Sequence, residues 1–449
     1  MAKRLSRRAI REPSGTAPRL GAVVRFTPQA TRTGIKQLEG SGFRVASSKD
    51  FRSAAAVPND FDGADVQYFE RFGIAIVRRD GERLRPMVEK AMQQKTVSSV
   101  RPERTYRALG AATTSRPDIA PPASFAGIAN LDPDYLRGYR DGISELVDRL
   151  LGGEQAESVR KVARIDETTS TWGLQATKVI GSSLTGAGIK VAVLDTGFDH
   201  THQDFVGRII TKKLFASNST EDDVHGHGTH CIGTACGPLR PTTGPRYGIA
   251  YESEIYAGKV LGDDGFGTDR SIIAGMDWAL DERCHVISMS LGAATQLGDQ
   301  PNDDYEQIGK VCLAAGKLVV AAAGNESTRP QRIKPIGSPA NASTFMAVGA
   351  VDSALQTASF SCGGLNPNQE VDIAAPGVAI LSCLPGNNYD RWDGTSMATP
   401  HVSGVAALLA QSNDTFRGWA LWARVLQLAS RLQLPARDVG KGLLQAPPS

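Results

Sequence analysis

The stretch Lys190-Val-Ala-Val-Leu-Asp195-Thr-Gly197 decides what kind of fold this chain adopts. Its apolar residues, Val191 to Leu194, run without alternation and end in an acid. A strand that is apolar on both faces belongs in a parallel sheet covered by helices on each side. An acid at the carboxyl end of such a strand stands where open α/β sheets place their sites. Runs of the same kind recur at Ile255–Leu261, Val286–Leu291, Leu318–Ala323, Phe345–Val351 and Val371–Ala375, with helical segments between them. Residues 166–449 therefore read as one large α/β domain, a parallel sheet with helices on both faces.

Upstream the pattern changes. Residues 21–109 read as a small α+β unit. Gly21–Phe26, Phe43–Ser47, Tyr68–Arg78 and Val97–Arg101 have the character of strands. Thr31–Gly40 and Glu82–Lys95 have helical periodicity. The order β-α-β-β-α-β is that of a ferredoxin-like fold. Residues 1–20 form a basic tail without the apolar core of a secretory signal. Residues 110–165 combine a linker rich in Ala, Pro, Ser and Thr with an amphipathic helix over Pro133–Leu151, which reads as a docking element.

Composition excludes several partners. Lys plus Arg is 50 and Asp plus Glu is 47, a net charge of +3, so no global field draws the chain to nucleic acid or to an acidic membrane. No apolar run approaches the ~20 residues that span a bilayer. The six cysteines, Cys231, Cys236, Cys284, Cys312, Cys362 and Cys383, lack the paired spacing of a zinc site. A domain this large does not need disulfide staples. Reduced thiols and a cytoplasmic location are the expectation, with secretion by another route left open.

Three further segments carry chemistry. His225-Gly-His-Gly-Thr-His230 precedes a run of small residues suited to a helix packed tightly on a sheet, and its histidines lack the spacing of a zinc-binding helix. Val319-Val-Ala-Ala-Ala-Gly-Asn325 is an apolar strand ending in an amide. Asp393-Gly-Thr-Ser-Met-Ala-Thr-Pro-His401 leads into the apolar helix Val402–Ala410 and puts Ser396 at the positive end of a helix dipole. Taken singly, each has a plain structural reading as a cap, a turn or a core residue.

Together, and in this order, they resemble the subtilase family of serine proteases. Supporting matches are Ser290-Leu-Gly292, Leu261-Gly-Asp-Asp-Gly-Phe-Gly267 and Gly440-Lys-Gly-Leu-Leu-Gln-Ala446. The resemblance implies a serine endopeptidase with Ser396 as nucleophile, His227 as general base and acid, and Asp195 orienting the imidazole. Asn325 and the Ser396 N–H would be the oxyanion donors. His225 and His230 match no catalytic position. Substrate would lie against Ser290, Leu291 and Gly292, against Ala323 and Gly324, and beside Leu261 and Phe266. Glu326 would stand at the mouth of the primary pocket and admit Lys or Arg there. The absence of a carboxylate deeper in these walls implies broad cleavage after large apolar residues.

The unit at 21–109 is similar to the family's propeptide, an intramolecular chaperone and inhibitor, so self-processing near Leu109–Gly110 is expected. No cofactor is expected. Asp204 matches a ligand of the family's common calcium site, but Gly237–Arg246 offers no Asp or Asn and has two arginines, leaving at most a weak or non-standard site. Two alternatives remain: a dedicated maturation protease for one partner protein, docking through 110–151, or a catalytically silent binding module.

Overall fold

The computed structural model describes residues 20–48, 64–77, 81–110, 165–217 and 219–448. The linker after residue 110 and the helix expected at Pro133–Leu151 lie outside these residues, as does the basic tail up to residue 19.

The first unit comprises β1 (Ala22–Phe26), α1 (Thr31–Gly40), β2 (Val45–Ser47), β3 (Val66–Phe69), β4 (Ile74–Val77), α2 (Gly81–Gln93) and β5 (Val97–Pro102). Its sheet order is β2-β3-β4-β1-β5. The four strands β5-β1-β4-β3 have the ferredoxin-like arrangement, with β2 added in parallel at the edge of β3. The single strand expected over Tyr68–Arg78 is thus a hairpin, β3 and β4. The chain reverses at Gly73, whose φ of +67° lies in the region that glycine enters without steric cost. Val24, Phe26, Leu38, Val66, Ala75 and Val77 close a core of their own.

The second unit holds a seven-stranded sheet. Its strands are β7 (Lys190–Asp195), β8 (Ile210–Leu214), β9 (Glu254–Lys259), β11 (Val286–Met289), β13 (Leu318–Ala322), β14 (Met346–Val351) and β15 (Ile373–Pro376). They are all parallel, in the order β15-β14-β13-β11-β7-β9-β8. Helices α3 (His227–Cys236), α4 (Asp269–Asp281), α5 (Asp303–Ala314) and α6 (Thr395–Ser412) cover it. Among the described residues no helix is long and apolar enough to cross a membrane. The run Val286–Leu291 does not stay in this sheet. After Met289 the chain leaves it, and β12 (Leu291–Gly292) joins a small sheet with β10 (Phe266–Thr268) and β6 (Thr105–Ala108).

The two units meet on an apolar cluster, in which Val23, Phe69, Phe72, Ile74 and Ile76 join Phe215, Tyr256 and Trp278, and on charged side chains. Arg101 binds Asp269 and Asp304 at 2.6 Å each, and Arg71 binds Asp277 at 2.8 Å and Asp281 at 2.7 Å. Glu103 accepts the Arg270 N–H in the first turn of α4, where a carboxylate complements the helix dipole. These contacts fix the first unit over α4 and α5, so that the chain following β5 runs towards the carboxyl ends of the sheet.

Candidate active site

Close backbone approach brings Asp195 and His227 together. An ideal Cβ on Gly228 would lie 2.2 Å from the Gly197 carbonyl, so only glycine lets α3 begin hard against the Asp195–Gly197 turn. Asp223 locks this arrangement. It accepts the Thr196 hydroxyl on one oxygen and the Thr229 N–H and hydroxyl on the other. The result is a His227 Nδ1 to Asp195 Oδ1 hydrogen bond of 2.6 Å between fully buried side chains. Burial pulls the His227 pKa down, but the Asp195 charge and hydrogen bond more than reverse this, leaving it well above the ordinary imidazole value.

Ser396 lies in the first turn of α6, and that turn is shaped by Pro400. Proline has no N–H, so the Ser396 carbonyl loses its helical partner. It accepts instead from the Ser290 hydroxyl at 2.9 Å and the Cys231 thiol at 3.5 Å. The Ser396 hydroxyl donates to the Ser290 carbonyl at 3.0 Å rather than to His227 Nε2, which has no hydrogen-bond partner among the described residues. Asn325 turns its Oδ1 onto Thr395, accepting N–H and O–H at 2.9 and 2.8 Å, and so directs its Nδ2 the other way. His230 is held apart from this chemistry. It bonds the Ile380 carbonyl and stacks on Trp392, and burial pushes its pKa down to about 3.

The space in front of Ser396 is filled by the end of the first unit. β6 lies antiparallel between β10 and β12, with Arg107 opposite both Phe266 and Gly292. The Leu109 N–H donates to the Ser290 carbonyl at 3.1 Å, and the Leu109 carbonyl accepts the Ser396 N–H at 3.2 Å. Gly394 is pressed between these groups: an ideal Cβ there would lie 2.9 Å from the Leu109 oxygen and 3.1 Å from Asn325 Nδ2. The Leu109 side chain is buried, and its Cδ1 would lie 2.7 Å from a Cβ at Gly292. Leu261 and Leu291 belong to the same apolar cluster as Tyr106. Glu326 has a partner that the sequence did not show. It pairs at 3.0 Å with Arg107, two residues before Leu109, and not with the residue in the primary pocket.

Two carboxylates essential to this geometry were not read from the sequence. Asp223 lies just ahead of α3 and Asp269 is the first residue of α4, where an acid ordinarily signals only a cap or a partner of the helix dipole. Neither carries a local signal that would mark it otherwise.

Among the described residues, Asp195, His227 and Cys231 are grouped closely enough to hold a metal, with ligand atoms within 4.8 Å of one another. Cys231 Sγ lies 3.9 Å from His227 Nδ1. A soft ion such as Hg²⁺ on this thiol would take the His227 nitrogen and displace it from Asp195. Mercuric chloride is therefore expected to inactivate the wild-type protein and to spare Cys231→Ala. Equal sensitivity in rate assays of the two proteins would contradict this.

The fold is an α/β sheet carrying an Asp-His pair and a helix-borne serine at its carboxyl edge, the class of the subtilisin-like hydrolases. The chain belongs to the subtilase family, whose model matches residues 186–442, and it is a subtilisin-like serine endopeptidase. It is 40% identical over 272 residues to subtilisin BL of Lederbergia lenta, covering 60% of this chain and 92% of that protein. The match to M-protease of Shouchella clausii (strain KSM-K16) is also 40% over 272 residues, covering 60% of this chain and 65% of that protein. The major intracellular serine protease of Bacillus subtilis (strain 168) is 37% identical over 277 residues, 60% of this chain and 83% of its own length.

Proposed function

We propose that this chain is a self-processing serine endopeptidase that cuts its own Leu109–Gly110 bond and then keeps residues 21–109 as a bound inhibitor. The observation that carries this reading is the hydrogen bond from the Ser396 N–H to the Leu109 carbonyl, with the preceding residues held as a strand in the groove. Ser396 Oγ attacks the Leu109 carbonyl carbon while His227 Nε2 takes its proton. The oxyanion receives the Ser396 N–H and Asn325 Nδ2. His227 returns the proton to the Gly110 nitrogen, which leaves. Water then hydrolyses the Leu109 ester, with His227 again as the base. Because the bond is already in the groove, the first cut is intramolecular and gains a high effective concentration. Leucine in an uncharged pocket supports a broad preference for large apolar residues before the cut.

The base must be neutral to accept the proton. With a folded pKa raised by Asp195, activity is present at high pH and lost as pH falls through a value above 6.5. The rate against a leucine anilide should therefore rise to a plateau with its midpoint above 6.5, and a fluorophosphonate should label Ser396. A protein that neither turns over nor reacts with the probe would be a binding module instead.

The residues around Asp204 do not suit calcium. Its oxygens accept the Thr242 N–H at 2.7 Å and the Tyr247 and Tyr389 hydroxyls at 2.6 and 2.9 Å. Burial alone would raise its pKa, but these donors hold the carboxyl below its ordinary value. A carboxylate saturated by donors offers little to a cation that needs several oxygen ligands. EDTA should lower the melting temperature by less than ~10 °C, and a larger drop in a thermal scan would restore a tight calcium site.

A further inference from the structure

We propose that the groove recognises a tyrosine four residues before the cut through its hydroxyl, by way of the buried carboxylate of Asp269, and favours a basic residue at the next position through Glu326. This rests on the reading of residues 104–109 as a substrate mimic. Tyr106 occupies the fourth position before the Leu109–Gly110 bond and is almost fully buried. Its ring meets the ring of Tyr305 edge-on at 5.8 Å, and its hydroxyl donates to Asp269 Oδ1 at 3.1 Å. Tyr305 donates to the same oxygen at 3.0 Å. Asp269 Oδ2 accepts the Arg104 N–H at 2.7 Å and the Arg101 guanidinium at 2.6 Å.

Asp269 itself is wholly buried. Among the described residues four groups donate to its carboxylate, and only the Tyr305 hydroxyl belongs to the catalytic domain; the Arg101 guanidinium, the Arg104 N–H and the Tyr106 hydroxyl all come from the first unit. When that unit leaves, the carboxylate keeps one protein partner and is opened to water, and a bound substrate buries it again in place of that water. A buried charge short of donors is costly, so a substrate that restores them is favoured over one that does not. Any extended chain supplies the backbone N–H at the position of Arg104. Only tyrosine supplies the hydroxyl where Tyr106 now stands. Phenylalanine would fill the same space and leave the oxygen unmet, and sites built for a hydroxyl discriminate strongly against its absence. The adjacent Arg107–Glu326 pair is half exposed on the arginine side and weaker, and Glu326 also receives the Cys362 thiol at 3.4 Å. The substrates implied are extended segments of the form Tyr-basic-X-Leu.

The test uses the mature enzyme and hexapeptide anilides of sequence Arg-Thr-Tyr-Arg-Ala-Leu, with Phe replacing Tyr or Glu replacing the second Arg. Tyrosine should exceed phenylalanine by roughly 10- to 100-fold in kcat/KM, as expected of a hydrogen bond to a charged group. Asp269→Asn should shrink that ratio. Should this variant fail to fold, the two peptides on wild-type enzyme still decide the matter. Glu326→Gln should remove a roughly two- to fivefold advantage of arginine over glutamate without changing the tyrosine ratio. Equal rates for the Tyr and Phe peptides would overturn the proposal while leaving the peptidase reading intact. Hydrolysis of none of them would overturn that reading as well.

Discussion

Ser396→Ala is expected to lose activity by about a millionfold in kcat, a magnitude established on subtilisin itself when its nucleophile is removed and carried over to this chain. The fold should survive the change. In the structure the Ser396 hydroxyl makes one hydrogen bond, to the Ser290 carbonyl, and that carbonyl retains the Leu109 N–H. Losing one such bond costs about 1 kcal/mol, a small part of the stability of a domain this size. The variant should therefore show the circular dichroism of wild type and no turnover of a leucine anilide. A variant that hydrolysed the anilide at the wild-type rate would remove Ser396 from the mechanism.

Asn325→Ala should lower kcat by roughly a hundred- to a thousandfold, again the range found for the equivalent amide donor of subtilisin. Two effects must be separated. Nδ2 and the Leu109 carbonyl oxygen border the same space in front of Gly394, 3.1 and 2.9 Å from where a Cβ there would lie, while Oδ1 caps the start of α6 by accepting from Thr395. The capping loss is a stability effect of about 1–2 kcal/mol. The lost donor acts on the developing oxyanion and so falls on kcat, with KM little changed. Kinetics measured well below the melting temperature keep the two apart. A variant whose KM rises while kcat holds would place Asn325 in binding alone.

Much of this was legible in the sequence because buried parallel strands announce themselves as unbroken apolar runs. The strand ending at Asp195, the one ending before Asn325 and the helix bearing Ser396 were each readable from local pattern. The edge strand β8 was not, since Ile-Thr-Lys-Lys-Leu is half exposed and lacks such a run. The hairpin of β3 and β4 looked like one strand because its turn lies inside an aromatic stretch, Tyr68 to Phe72. A further hairpin, Ile380–Leu384 with Asn388–Trp392, was also missed, and it supplies the Trp392 ring behind His230. Arg107 as the partner of Glu326 was not legible either. Sequence gives its position on the rim of the pocket, but only the path of the strand decides which substrate residue reaches it. Asp269 was invisible for a similar reason, because its partners Arg101, Arg104 and Tyr106 are far away along the chain.

The most direct measurement is the intact mass, with N-terminal sequencing, of wild type and Ser396→Ala purified side by side. Wild type should yield a fragment ending at Leu109 and a second beginning at Gly110, the two remaining associated until the first is degraded. Ser396→Ala should remain one chain of 449 residues. An uncut wild-type chain with full peptidase activity, or a Ser396→Ala chain cut at the same bond in the absence of other proteases, would contradict the account.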